Sequence, residues 1–564
     1  MKLSAKTKSL FWIAVVVAVV VLTWIGLSQY YPETNTLRYL PDRIFRLVKT
    51  LAGNDPMGSG VEPENLPIAL IMAKILVTLI LLRALLKIVE KVFHEQYAQF
   101  RAACKRDHTL VLGAGERSNY MLQSYAQSTG KTAVAIEPAN QPQLTVLPRN
   151  GHVVLTGDPT SAETLISAGA LKAAEVICFG QEEKTGVQSA ARLVALYAQH
   201  SPGHRLRCFV HLNNPRLVDV FRQHSLSSSD SGVDIVFFNL HKMRARRFFN
   251  QLPQQLASHL QQPQAHIHLL LVGFDATAQA LLLQGLRVFH LLPGQSCQWS
   301  IYTSQADARA RQFADQYPEA TQIAPIHFHE NDGCWRHILA EQSAQLPPHG
   351  TLVLICAEED SSDNLDTAAT MLHLSDGADF PVYVHGSSRR IAPLLAGNAR
   401  HRLHFFGDDA ELCDYELITC NTQDRLAQAI HADYLQQVEA TAPNTTSESK
   451  AFQQAWLALS EEAKDANRAQ ADHIIYKLLL TGQNPATPPQ FSPEQIEQLA
   501  ETEHQRWAAH LYLNGWRYGS VRDDAAKQHP SLVSWVDLNE GERQKDRDTI
   551  LRVPALWQQA GSSI

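Results

Sequence analysis

His108-Thr109-Leu110-Val111-Leu112-Gly113-Ala114-Gly115-Glu116-Arg117-Ser118 reads as a short apolar strand running into a glycine turn. A helical stretch follows to Gly130, and the next strand, Thr132-Ala133-Val134-Ala135-Ile136, ends on Glu137. The pattern is G-x-G-x-x-S with an acid about twenty residues further on, placed between strand and helix. Glycines at such a turn let the backbone approach a pyrophosphate at a helix N-terminus, and the acid can hold ribose hydroxyls. Ser118, in place of a third glycine, makes the helix–strand approach less close.

Upstream lie two apolar stretches, residues 10–27 and 66–89, each long enough to cross about 30 Å of hydrocarbon. The first contains Val15-Val16-Val17-Ala18-Val19-Val20-Val21-Leu22 and ends on Trp24 and Ile25. A cleavable leader has a shorter apolar run and small residues at that point, so an anchor is expected. Lys2, Lys6 and Lys8 precede the first span, and Arg83, Lys87, Lys91, Arg101, Lys105 and Arg106 close or follow the second. The positive-inside rule then predicts both termini in the cytoplasm and residues 29–65 outside an inner (cell) membrane. Lys74 falls near the middle of the second span. A lysine at that depth either lines a water-filled path in an oligomer or snorkels and pairs within the bundle.

The chain has 564 residues, 45% hydrophobic and 19% charged, enough for three or four domains. Its net charge of −7 gives no reason to expect a nucleic-acid partner. The eight cysteines form no CxxC pair, and several lie in apolar strand-like runs, as expected of reduced thiols.

The outer segment carries an amphipathic stretch, Pro41–Leu51, that runs into Thr50-Leu51-Ala52-Gly53-Asn54-Asp55. Here the chain resembles a two-span potassium channel with its pore helix and T-x-G-x-G-D filter. That resemblance would place Thr50, Gly53, Asn54, Asp55 and Lys74 along a pore. Ala52 and Asn54 stand where the filter glycines belong, and those glycines let carbonyls point at the ion. An amphipathic helix lying on the outer leaflet is the alternative.

After Glu137 come Val153-Val154-Leu155-Thr156-Gly157-Asp158, Ala168-Gly169 and Val176-Ile177. Over about Asp107–Asn250 the chain resembles the RCK family, also called the TrkA N-terminal domain, which regulates potassium channels and transporters. The resemblance implies a dimerising Rossmann-like domain that binds NAD or an adenine nucleotide. It makes Gly113, Gly115, Ser118 and Glu137 ligand-site residues and has Asp158 close the pocket. Past a Gln/Pro-rich linker the pattern restarts with His266-Ile267-His268-Leu269-Leu270-Leu271-Val272-Gly273. Further strands are expected around Trp299–Tyr302, Thr351–Cys356 and Phe380–Val384. Phe274-Asp275 replaces the second glycine and Thr303 stands at the acid's place, so this is read as a degenerate repeat serving assembly. His327, His329, Cys334 and His337 do not have zinc-finger spacing and are read as a surface loop.

The last part holds an internal repeat. Trp456-x-x-Leu459-x-Glu461 is followed by Asn467-Arg468, and Trp535-x-x-Leu538-x-Glu540 by Asp546-Arg547. Between them stand Glu503-His504-Gln505-Arg506-Trp507, Asn514-Gly515-Trp516-Arg517-Tyr518-Gly519 and Arg522-Asp523-Asp524. Over about Gln453–Gly561 this resembles the ryanodine-receptor repeat (RyR) domain, a small helical module with two pseudo-symmetric halves. In bacterial chains that family stands beside nucleotide- and defence-related domains, which implies a nucleotide-derived second ligand. Arg468, Arg517, Arg522 and Arg547 can pair with phosphates, and Trp507, Trp516 and Tyr518 offer stacking faces. The same tryptophans and leucines also suit a core.

The expected fold class is membrane α plus α/β. The expected domains are a two-helix membrane part (1–90, with a candidate pore loop at 41–56) and a linker (91–107). Next come an RCK-like domain (108–250), a degenerate Rossmann-like domain (265–430) and an all-α RyR domain (431–564). No nucleophile or acid–base constellation marks an enzyme. The expected function is a ligand-gated, potassium-channel-like pore, homotetrameric because two spans cannot enclose a path alone. The alternative is a membrane-anchored nucleotide sensor that regulates a transporter or acts as a defence effector.

Overall fold

The computed structural model describes residues 5–30, 40–52, 66–113, 115–138, 151–180, 183–214, 232–359, 361–375, 380–386, 402–420, 422–438 and 450–560. Gly53, Asn54 and Asp55 of the expected pore loop lie outside them. The chain divides into two compact units, Met1–Arg101 and Ala102–Ile564.

The first unit holds three main helices, Ala5–Tyr30, Leu40–Leu51 and Ile68–Val92. Within the last, Ile68–Leu86 is long and apolar enough to cross a membrane; the described apolar part of the first, Ala14–Tyr30, is shorter. The two pack along Val19, Leu27, Leu70, Ala73 and Val77. The Leu40–Leu51 helix docks through Arg43, which donates to Ser28 Oγ at 2.9 Å and lies over the Trp24 ring. Thr50 is buried and bonds back to the Arg46 carbonyl. Ile44, Phe45 and Val48 of the same helix are exposed, an apolar face that water does not favour. Lys74 sits on the long apolar helix, and its carbonyl accepts from Thr78 Oγ1 at 2.9 Å.

The second unit is built on two parallel six-stranded sheets. The first has order β3-β2-β1-β4-β5-β6, with β1 His108–Leu112, β2 Val134–Glu137, β3 Val153–Thr156, β4 Ala173–Cys178, β5 Leu206–His211 and β6 Val233–Phe238. The second has order β12-β11-β10-β7-β8-β9, with β7 His266–Val272, β8 Ser296–Thr303, β9 Ile326–Glu330, β10 Gly350–Cys356, β11 Val382–His385 and β12 Leu403–Phe406. Counted from its own first strand, the second sheet repeats the order of the first. Both are doubly wound, and in such sheets ligands bind outside the carboxyl ends of the strands.

β9 and β12 were not expected from the sequence. His327 and His329 therefore lie on an edge strand rather than in a surface loop, with His337 on the following Trp335–Ala344 helix. β9 has no fully buried residue, and the alternation in Ile326-His327-Phe328-His329 is too short to stand out.

The C-terminal part is helical, chiefly Glu461–Leu480, Pro493–Leu513 and Glu540–Ala560. The all-helical expectation needs one correction, a small two-stranded ladder of β13 Arg517–Tyr518 and β14 Gln528–His529. These helices share one core with the second sheet, in which Phe249, Trp299, Tyr476 and Trp557 are all buried. All eight cysteines are free.

Candidate functional site

At the end of β1 the two glycines have different physical reasons. Gly113 (φ 119°) lies against the continuation of β4, where a Cβ would stand 2.1 Å from the Phe179 carbonyl oxygen. Packing of the sheet therefore requires it. Gly115 (φ 122°, ψ −177°) is the N-cap of the Glu116–Thr129 helix and makes no side-chain cap. A Cβ there would meet nothing within 4 Å among the described residues. Its backbone adopts a region reserved for glycine with no described residue crowding it, which suits a close approach by a ligand. The helix presents unsatisfied N–H groups and the positive end of its dipole at this point.

Ser118 is turned inward, its Oγ donating to the Gly113 carbonyl at 3.0 Å, so it braces the loop from below. Glu137 ends β2 directly beside it, because Leu112 pairs with Ile136 and Gly113 N–H donates to the Ile136 carbonyl. Asp158 follows β3, the next strand along, and is exposed. Its Oδ1 accepts from the Thr160 N–H (2.8 Å) and hydroxyl (2.7 Å), shaping the turn into the Ala162–Ser167 helix. Gly113, Gly115, Glu137 and Asp158 thus share one carboxyl edge. A pyrophosphate on the helix terminus with its ribose toward Glu137 fits this arrangement.

The chain entering this unit is tied to the opposite edge of the sheet. Ala102 is buried, Lys105 Nζ donates to Thr132 Oγ1 at 2.6 Å, and Lys172 Nζ donates to the Ala103 carbonyl at 2.8 Å.

In the C-terminal module the sequence repeat becomes a repeated ion pair. Glu461 meets Arg468 (3.0 Å) and Glu540 meets Arg547 (2.5 Å), each glutamate at a helix start with its arginine two turns on. The copies differ in surroundings. Arg468 is absorbed by carboxylates, with Asp424 at 2.7 Å and Asp465 at 3.0 Å, so it faces the core and not a pocket. The second copy opens to the surface. Trp535 is half-buried beneath Arg543 (5.7 Å) and Arg547 (6.0 Å), in cation–π range.

Trp507 and Trp516 are brought together around His529, with ring centroids at 5.0 and 6.3 Å from it. His504 stacks on Trp507 (5.6 Å), one helical turn away, and lies 6.0 Å from Trp535. Burial opposes a charge on His504, but Asp546 (3.4 Å) and the Val533 carbonyl (3.0 Å) outweigh it and raise its pKa. Trp516 Nε1 is buried with no hydrogen-bond partner among the described residues. Arg517 and Tyr518 stand exposed on β13, and Arg522 pairs with exposed Asp524 at 2.8 Å. The arrangement can stack a planar ring and pair an anion. Sequence reasoning did not single out His504, His529, Trp535 or Arg543 as site residues, although the His504–Trp507 spacing carried a signal for the first.

Residues 489–564 match the family model described as the RyR domain, beginning well after the first repeat block. Among solved structures, GsuK bound to ADP resembles the chain with 11% identity and a TM-score of 0.36, over 73% of this chain and 97% of that one. A GsuK channel bound to NAD does so with 10% identity and a TM-score of 0.37, over 75% and 84%. A dipicolinate synthase structure from Bacillus halodurans gives 9% identity and a TM-score of 0.20, over 56% and 97%. Values of this size mark a likeness of parts, not a shared activity. The C-terminal 76 residues, 489 to 564, are similar to the RyR domain.

Proposed function

We propose that this chain is a nucleotide-gated membrane channel or pore of the two-span type, working as a homotetramer with both termini cytoplasmic. NAD or an adenine nucleotide binds at Gly113, Gly115 and Glu137, and a second nucleotide-derived ligand binds the C-terminal module around Trp507, Trp516 and Trp535. The chain performs no chemistry on either. The observation that supports the reading is Gly115, a glycine-only backbone at a helix N-terminus that no other described residue crowds.

The ligand acts by binding one cytoplasmic arrangement better than another. The output passes through residues 91–107, whose end is fastened to the first sheet by Lys105 and Lys172. Lys74 favours a second reading, a membrane-anchored nucleotide sensor without a pore, since a ring of lysines repels cations.

Calorimetric titration of the full chain in detergent with ADP and NAD tests the site. Saturable binding is expected, weakened at least about tenfold in Gly115→Val because a branched residue cannot hold that backbone. The same strain should lower the melting temperature by a few degrees, so binding is compared well below the transition. Equal binding by wild type and variant would place the nucleotide elsewhere.

A further inference from the structure

The segment after β12 in the second sheet reaches across to the helix of the phosphate loop. Asp409 accepts from Arg117 Nε at 2.8 Å, and Arg117 is the second residue of the Glu116–Thr129 helix. The other oxygen of Asp409 accepts from Arg244 NH2 at 2.6 Å. Further along, Asp414 accepts from Ser124 Oγ at 2.6 Å, and Tyr415 packs edge-on against Tyr125 at 5.0 Å. Residues 408–419 are therefore a strap from one sheet domain laid over the ligand-site helix of the other.

The two ends of the Asp409 bridge are unequal. Arg244 is buried and built in. Its Nε donates to the Gly407 carbonyl at 3.0 Å, and a Cβ on Gly407 (φ 77°) would stand 2.5 Å from Arg244 Cδ. Arg117 is 40% exposed, so its half of the bridge is the weak one. His211, at the end of β5, is 4% exposed, and its Nε2 has no partner among the described residues. The charged and titratable groups whose fields reach it are Arg117, His241, Asp409 and Arg244. An orphaned polar nitrogen in that company marks a place for a hydrogen-bond partner.

We propose that Asp409 is a built-in stand-in for a ligand phosphate. An anionic nucleotide seated at Gly115 takes Arg117 from Asp409, gains His211 as a further contact, and loosens the strap at its Asp408–Glu411 end, while Leu412, Cys413, Leu417 and Ile418 stay buried against the first sheet domain. Binding in one sheet domain is thereby reported to the other. A phosphate carries more charge and more acceptor oxygens than a carboxylate, so it wins a half-exposed arginine. Arg244 keeps Asp409, which lets the strap return when the ligand leaves. This inference rests on the nucleotide reading of the Gly113–Gly115 loop.

The test is ADP affinity of the full chain in detergent, together with hydrogen exchange over 408–419. Asp409→Asn removes the competitor and should bind ADP about tenfold more tightly, and Arg117→Gln about tenfold more weakly. The double variant should bind close to Arg117→Gln, because the competition between Asp409 and the ligand is for that arginine. In wild type, ADP should speed exchange at the Asp409 end of the strap, with little change over the buried residues 417–419. Arg117 is exposed enough for its variant to fold, and melting curves check both. Wild-type binding with unchanged affinity in Asp409→Asn, or with unchanged strap exchange, overturns the stand-in while leaving the nucleotide site intact. No binding by wild type overturns both.

Discussion

Asp424→Ala is expected to lower the stability of the chain by about 3–5 kcal/mol, the usual consequence of removing one partner from a buried ion pair. Asp424 is fully buried and accepts from Arg246 NH1 at 2.5 Å and from Arg468 NH2 and Nε at 2.7 and 2.9 Å. Arg246 also forks onto Asp472, at 2.7 and 2.9 Å. Burial alone would raise the Asp424 carboxyl, but Arg468 and Arg246 outweigh it and hold it far below the usual range. Alanine would leave Arg468 with its remaining partners and Arg246 with Asp472 and the Gln423 carbonyl, around a cavity where a charge had been. Denaturant unfolding of the full chain in detergent measures the loss. A change below about 1 kcal/mol would mean that the network adds little beyond its packing.

Glu503→Gln should give the second large loss, and one that depends on pH. Glu503 accepts from Lys477 Nζ at 2.8 Å and from Arg506 Nε and NH2 at 3.0 and 2.8 Å, all buried. Lys477 also donates to His473 Nδ1, leaving the far ring nitrogen of His473 to donate to the His290 carbonyl of the second sheet domain. Burial pushes the Glu503 carboxyl up, yet Arg506 and Lys477 prevail and hold it at about 2. An unfolded glutamate titrates near about 4.3. The folded value is depressed, so the stabilisation is fully present above about pH 5 and is lost as pH falls toward 2. The difference between wild type and Glu503→Gln should be about 3 kcal/mol at pH 7 and shrink steadily below pH 5. A difference that stays constant with pH would assign the loss to packing rather than charge.

The first four strands of the first sheet were legible from their apolar runs and from a turn whose glycines have definite backbone uses, whereas β5 and β6 were not read from the sequence. The second sheet was recognised from β7, yet two of its strands were not, since β9 and β12 are short and only half-buried. Arg468 shows a different limit. Its spacing from Glu461 was visible as a repeat, but Asp424, which draws it into the core, lies 44 residues earlier in a stretch with no local sign of the pairing. The same holds for Asp409, 292 residues from Arg117. Local pattern reveals elements and turns, whereas long-range charge pairing is decided by how the two sheet domains and the C-terminal helices pack. Arg543 became visible only once its position over Trp535 was known.

The most direct test of the central claim is the current carried by purified full chain in a planar bilayer, with ADP or NAD added on the side of the C-terminal domains. The account predicts a conductance that changes with nucleotide in wild type and loses that dependence in Gly115→Val. Nucleotide binding without any current, in wild type and variant alike, would contradict a gated pore and leave the membrane-anchored sensor.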